Sequence, residues 1–231
     1  MQHSLQVVQC WDDGVTTDGP LIEILQRYGA KATFNLNIGL HQKFRHAGWT
    51  YHNTQVQRFG ISELQDVYAG FCIANHSFSH PHLEHLRSSD LFYEIHEGRD
   101  RLQQLFGQPI EGFAYPFGSH TSQLRQQVRQ AGHIYARTTQ MTSQPFPPED
   151  PMAFHPTCHF LDPDFHQCYE QAKASGVFYF WGHSYEMTTS SMWEDFERKI
   201  RMISEDAASS WKDVVDLFAL PNSSHVQSSC P

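Results

Sequence analysis

At 231 residues the chain can hold one sizeable core and lies near the upper limit for a single hydrophobic interior. With 39 % hydrophobic, 13 % aromatic and only 18 % charged residues, a disordered chain is excluded. A formal charge of -9, from 16 Lys and Arg against 25 Asp and Glu, argues against a nucleic-acid backbone as partner, since no predicted face gathers cations. No apolar run approaches the ~18 residues of a membrane span. Residues Met1 to Gln9 lack the basic-then-apolar pattern of a leader, and the five cysteines form no C-x-x-C pair, so a reducing, cytoplasmic setting is expected.

The run Leu5 to Trp11 reads as a strand, with Asp12-Asp13-Gly14 where it should stop, so both carboxylates project from a strand end. Leu21, Ile22, Leu25 and Tyr28 repeat at helical spacing before Gly29 ends the helix, and Lys31 to Leu36 alternates as a strand. The polar segment Asn37 to Gly60 reads as a long loop. A short helix from Ser62 to Tyr68 precedes a strand from Gly70 to Ala74, which delivers His76 and His80. Pro81 keeps His80 out of helical torsions and puts the histidine pair on a loop. A long amphipathic helix spans Ser88 to Phe106 and Gly107 closes it; a strand from Ile110 to Tyr115 then runs into the turn Pro116-Phe117-Gly118. Helix Ser122 to Ala131, strand His133 to Thr138, a proline-rich loop to Pro151, strand His155 to Phe160, helix Pro163 to Ala174, strand Val177 to Trp181 and helix Trp193 to Ile203 follow, and Trp211 to Phe218 is predicted helical. Such alternation implies an α/β fold with a largely parallel sheet. Residues 1–220 read as one catalytic domain and residues 221–231, rich in serine, as a disordered tail.

Two imidazoles and one carboxylate can hold a divalent ion while leaving positions open for water and substrate. Asp13, His76 and His80 are the candidate metal ligands, with Asp12 free beside them to act as a base. A third element points to the same place: the apolar strand through Phe180 and Trp181 ends abruptly in Gly182-His183. Cys158 is expected in the core, because a thiolate nucleophile needs an electropositive setting that the sequence does not show. One of its neighbours, His155 or His159, is expected to line the pocket. Of the aromatics, Tyr115 and Trp181 are the expected pocket walls, while Trp49 and Tyr51 are assigned to the core.

Read in order, Trp11-Asp12-Asp13-Gly14, His76-Ser77-Phe78-Ser79-His80, Phe113-Ala114-Tyr115-Pro116-Phe117-Gly118 and Trp181-Gly182-His183 resemble the polysaccharide deacetylase family, also called the NodB-homology or carbohydrate esterase family 4 domain. The resemblance runs from about Leu5 to Phe218. It implies a distorted (β/α) barrel of about seven mostly parallel strands around one divalent ion, zinc being the first expectation and other divalent ions possible. It further implies Asp12 as general base, Asp13, His76 and His80 as metal ligands, His183 as general acid, and the main-chain N-H of Phe117 as an oxyanion donor. This chain departs from the family in three places. The family's third motif carries Arg where Ala114 stands, its fourth motif (Asp-x-x-Asp-Trp) has no counterpart between Thr121 and Val177, and Trp181 replaces the usual Leu before the acid histidine. Arg137 is the candidate to orient Asp12, and Glu186 the candidate to orient His183.

The activity these readings imply is hydrolysis of the N-acetyl group of an amino sugar or N-acetylated saccharide by metal-activated water. The alternatives are hydrolysis of another non-peptide C-N bond, in a cyclic imide, ureide or formamide, and a degenerate domain that binds carbohydrate without turning it over. The expected partner is a carbohydrate or a small N-acylated substrate.

Overall fold

The computed structural model describes residues 4–218, and its sheet is assembled around β1 (Leu5–Asp12). Seven of the eight β1 residues are buried, as expected for a strand covered on both faces. Its parallel neighbours are β2 (Thr33–Leu36) beside its second half, β10 (Ser209–Trp211) beside its first, and β9 (Val177–Gly182) along the other edge. From β2 the sheet continues through β5 (Cys72–Asn75), β6 (Gly112–Ala114) and β7 (Tyr135–Arg137), and from β9 to the two-residue β8 (Cys158–His159). Every pairing in this eight-stranded sheet is parallel, and seven strands follow one path in the order β7-β6-β5-β2-β1-β9-β8.

The two ends of that path are linked by one segment. Phe154 exchanges backbone hydrogen bonds with β7, donating to Ala136 O (2.8 Å) and accepting from Thr138 N (3.0 Å). Three residues on, Thr157 N donates to Tyr179 O of β9 (2.6 Å). The chain thus spans the gap and curls the sheet into a distorted half-barrel. The helices that connect the strands are α1 (Asp18–Arg27), α3 (Ser88–Phe106), α4 (Ser122–Gln130), α5 (Phe165–Ser175) and α6 (Ser190–Glu205), with α2 reduced to Leu64–Val67. The largest apolar cluster, including Trp11, Leu25, Phe34, Phe160, Phe180 and Ile200, fills the space between β1, β2, β9 and their helices.

Two sequence expectations are corrected. The segment Asn37–Gly60 is no loop: β3 (His46–Tyr51) and β4 (Thr54–Arg58) pair antiparallel across a turn in which His52 (φ 42°) and Asn53 (φ 64°) are both left-handed, the turn geometry that matches strand twist. Most of the hairpin is half-buried or exposed, so it carries no hydrophobic alternation for a sequence reading to find. The predicted helix after Trp211 is likewise displaced: β10 pairs with β1, and only Val214–Leu217 forms a short 3-10 turn. The tail expected at 221–231 lies outside the described residues. Among the described residues no helix is long and apolar enough to cross a membrane.

Candidate active site

Asp12 closes β1 at full burial, and the next residue, Asp13, turns the chain with φ 81° while its N-H stays bonded to Asn35 O of β2 (3.1 Å). That turn separates the two carboxylates. The Asp12 side chain stays under the sheet edge, where Arg137 Nη2 donates to Oδ2 (2.6 Å) and Asn35 Nδ2 to Oδ1 (2.7 Å). Burial alone would raise its pKa, but the Arg137 guanidinium beside it prevails and holds the carboxyl well below the usual carboxylate range. Arg137 is itself fully buried and lies 4.5 Å over the Trp181 ring.

Asp13 faces the other way, toward the histidine loop. His76 follows β5 and donates from Nδ1 to Ala114 O (2.8 Å), which leaves the Nε2 lone pair as its free end. The tautomer follows from this bond, since an imidazole that donates at one nitrogen accepts or ligates at the other. Burial pulls the His76 pKa down to about 4 and lowers that of His80, so both rings are neutral near pH 7, the form that binds metal. The loop between them is held by α3: Glu94 accepts from Ser79 N (2.7 Å) and Ser79 Oγ (2.5 Å), and Phe78 N donates to Glu94 O (2.9 Å). Ser77 (φ 64°) and His80 (φ 58°) are left-handed, and Ser77 Oγ accepts from His80 N (2.9 Å). Gly98 of α3 permits the approach, because a Cβ there would meet Asn75 Oδ1 at 2.7 Å. As a result Asp13, His76 and His80 each present one donor atom, all within 4.8 Å of one another. Two neutral imidazoles and a carboxylate converging at this spacing suit a divalent ion with open positions, zinc above the harder oxygen-seeking cations.

His183 follows β9, and its Nε2 lies 3.8 Å from Asp12 Oδ2, the same separation as His76 Nε2 from that oxygen. On its other side, Nδ1 is 3.2 Å from Glu186 Oε2, in an orientation too bent for a hydrogen bond, so the contact acts as a charge pair. Burial lowers the imidazole pKa, but Glu186, with Asp12 and Asp13 behind it, more than offsets this and raises it overall. Glu186 also accepts from His183 N (3.0 Å) and lies 3.0 Å from His159 Nε2. Phe117, left-handed at φ 57°, stacks on His82 (centroids 3.9 Å apart, 9°) and meets the His80 ring edge-on at 4.6 Å.

Two expectations about the pocket do not hold, and three agree with the structure. Tyr115 is no pocket wall: it is fully buried, and its hydroxyl donates to Met152 O (3.0 Å). The aromatic surface beside His183 is built from residues expected elsewhere, Trp49 and Tyr51 of the hairpin packed edge-on against Tyr185 at 5.0 and 5.1 Å. Trp181 stays at the site, half-buried beneath Arg137. His159 joins the site, whereas His155 bonds Thr138 Oγ1 (2.5 Å) and lines a separate cavity of about 440 Å³ with His120, Arg125 and Phe146. Cys158 is fully buried in the core, and burial raises its thiol pKa far above the ordinary value. Two positioning residues escaped the sequence reading. Asn35 betrays itself only as a polar residue inside an apolar strand. Arg58 is buried, donates to the Asp13 carbonyl and ties the hairpin to the Asp13 turn.

Residues 2–136, more than half of the chain, match the sequence profile of the family described as polysaccharide deacetylase. The chain belongs to that family. The polysaccharide deacetylase fold is shared with solved structures of low identity. The Xyl-CE4 domain of a multidomain xylanase from the hindgut metagenome of Trinervitermes trinervoides is 17 % identical over 93 % of this chain and 90 % of that one, with a TM-score of 0.58. A mutant of BA3943, described as a CE4 family pseudoenzyme with restored enzymatic activity, is 15 % identical over 95 % of this chain and 69 % of that one, with a TM-score of 0.61. The Streptococcus pyogenes deacetylase PplD, solved with acetate, is 22 % identical over 57 % of this chain, with a TM-score of 0.49, and the chain spans only 55 % of its length. Among curated proteins none matches the sequence.

Proposed function

We propose that this deacetylase-family chain is a metal-dependent hydrolase that removes the N-acetyl group from an amino sugar within a saccharide. The observation that carries the reading is the position of Asp12: buried, ion-paired to Arg137, outside the Asp13-His76-His80 trio, and 3.8 Å from the Nε2 atoms of both His76 and His183. Base, ligand set and acid therefore converge on one point.

Asp13, His76 and His80 would hold the ion. When bound, it would polarise the acetamide carbonyl and acidify the attacking water, which is why so weak a base as Asp12 suffices. Asp12, kept ionised by Arg137 and Asn35, takes the proton from that water. The main-chain N-H of Phe117 stabilises the negative charge that develops on the carbonyl oxygen. His183, whose charged form Glu186 favours, gives a proton to the leaving nitrogen as the C-N bond breaks. Trp49, Tyr51 and Tyr185 form a partly exposed aromatic patch beside His183, the kind of surface on which a neutral sugar packs, which favours a saccharide over a small cyclic amide or ureide.

The test is acetate release from a panel of N-acetylated monosaccharides, oligosaccharides and cyclic amides, with bound metal counted by elemental analysis. Release from N-acetylated oligosaccharides that stops on chelation and returns with Zn2+ supports the reading. Stoichiometric metal with turnover of the cyclic amides alone would replace it, and protein that binds no metal and releases no acetate would leave a carbohydrate-binding domain.

A further inference from the structure

We propose that His159, Glu186 and the outer nitrogen of His183 form a second divalent-cation site, and that an ion held there switches off the acid function of His183. The inference rests on the role given to His183 above.

The sheet builds this trio. Register between β8 and β9 sets His159 opposite Trp181, so His159 and His183 leave adjacent strands at the same rim, and Glu186 sits in the turn that follows. Their donor atoms lie within 4.8 Å of one another: Glu186 Oε2 is 3.0 Å from His159 Nε2 and 3.2 Å from His183 Nδ1. A tetrahedral ion with bonds of about 2.0–2.1 Å sets its ligands about 3.3 Å apart, close to the two distances from Glu186, and the two imidazole donors, within 4.8 Å of each other, close on the ion by side-chain rotation. All three side chains are partly exposed, at 16 to 23 %, which gives an ion a way in. Two imidazoles and one carboxylate select zinc or a similar borderline metal over magnesium or calcium.

The second observation is that His183 Nδ1, although buried, has no hydrogen-bond partner, so an ion breaks no hydrogen bond there and competes only with the second ring proton. His159 binds at a cost. Leu161 N donates to its Nδ1 (3.3 Å), which places the ring proton on Nε2, facing Glu186. To ligate, the ring must carry its proton on Nδ1 instead and give up that long bond. The second ion is accordingly held more weakly than one at Asp13-His76-His80.

The consequence for catalysis follows from proton count. An ion on Nδ1 occupies the lone pair that a second proton requires. His183 then keeps one proton, on Nε2 toward Asp12, and can no longer become the imidazolium that protonates a leaving nitrogen. Scarce metal would fill the first site and activate the enzyme, and surplus metal would fill the second and inhibit it.

The experiment uses metal-stripped protein carrying His85→Ala, which breaks up the exposed His82-Glu84-His85 group as a competing site and leaves the His82-Phe117 stack in place. It is titrated with Zn2+ against a chromophoric chelator, and retained zinc is counted by elemental analysis. Two equivalents are expected, the second at least tenfold weaker, with acetate release maximal at one equivalent and at least tenfold lower at two. His159→Ala and, independently, Glu186→Gln should each reduce the count to one, whereas His80→Ala should lose the tight equivalent and keep the weak one. Saturation of the His85→Ala protein at one equivalent, or a weak equivalent that survives both His159→Ala and Glu186→Gln, overturns the proposal. Failure of the catalytic reading itself looks different: the tight equivalent is missing, or protein with one equivalent releases no acetate.

Discussion

The histidine-loop edge of the site and the β7-β9 edge solve their problems in different ways. At the first, Asp13, Ser77 and His80 all adopt left-handed backbone torsions, and α3 clamps the loop through Glu94 and the close approach at Gly98. Such torsions persist only where the surroundings over-determine them. At the second, Arg137 and His183 project from or just beyond ordinary strands and Glu186 from a short turn, none of them left-handed. The contrast has a physical origin. On the proposed reading, three ligands must meet one ion with tolerances of a few tenths of an ångström, a demand that suits a closely fixed backbone. Orienting a base or supporting an acid needs a charge at the right place, and that charge can arrive from another strand.

This comparison orders the expected effects of mutation. His80→Ala should abolish tight metal binding and lower kcat/KM by roughly 10³-fold or more, since a bound ion contributes several kcal/mol; elemental analysis and acetate release check both, and full activity in the variant would dissolve the distinction between the two edges. Asp12→Asn should lower turnover by ~10²- to 10⁴-fold, the range for a lost general base, while leaving the metal content unchanged. Arg137→Ala leaves the Asp12 carboxylate buried without its cation, so denaturant unfolding should show a loss of about 3–5 kcal/mol, as for other broken buried pairs.

A smaller effect is expected at Glu186. The acid must be protonated, so activity that depends on His183 is present below its pKa and lost as pH rises through it. Glu186→Gln removes the group that raises this pKa against the pull of burial, so the alkaline limb of kcat/KM should move to lower pH. An unmoved limb would assign Glu186 to packing alone. The smallest effect concerns His133, whose Nε2 lies 3.3 Å from Asn75 Nδ2 at the end of β5, behind the histidine loop. Burial lowers its pKa from 6.5 to about 3, so between those values the unfolded chain holds a proton that the folded one does not. Its contribution to stability is complete above pH 6.5 and is lost as pH falls toward 3. Melting of metal-free His133→Gln protein should depend less steeply on pH in that window than the parent.

How much was legible in the sequence follows the same division. The β1 acids, the His76-His80 pair and His183 were readable because each sits where a hydrophobic run stops, and strand ends are visible in the pattern. The parallel sheet was readable from the alternation of elements. Arg137 could be singled out as a candidate because the resemblance leaves Asp12 without the arginine expected at Ala114 and the following strand carries one. The hairpin was invisible, since its exposed ladder carries no apolar period. Tyr115 misled because a tyrosine suits both a pocket and a core, and only the Met152 carbonyl, distant in sequence, decides between them. Trp49 and Tyr51 were misplaced for the complementary reason: what brings them to the site is a turn at His52-Asn53 and the grip of Arg58, neither of which has a hydrophobic signature.

The segment that spans from Phe154 to Thr157 has a consequence for association between molecules. An open parallel sheet leaves a row of unmet amides and carbonyls along each margin, a template on which a second copy can stack. Here the β7 margin is already occupied by Phe154, and the opposite margin, β8, is only two residues long. Strand addition at the two ends of that seven-strand path is thereby given little purchase, without recourse to a covering helix.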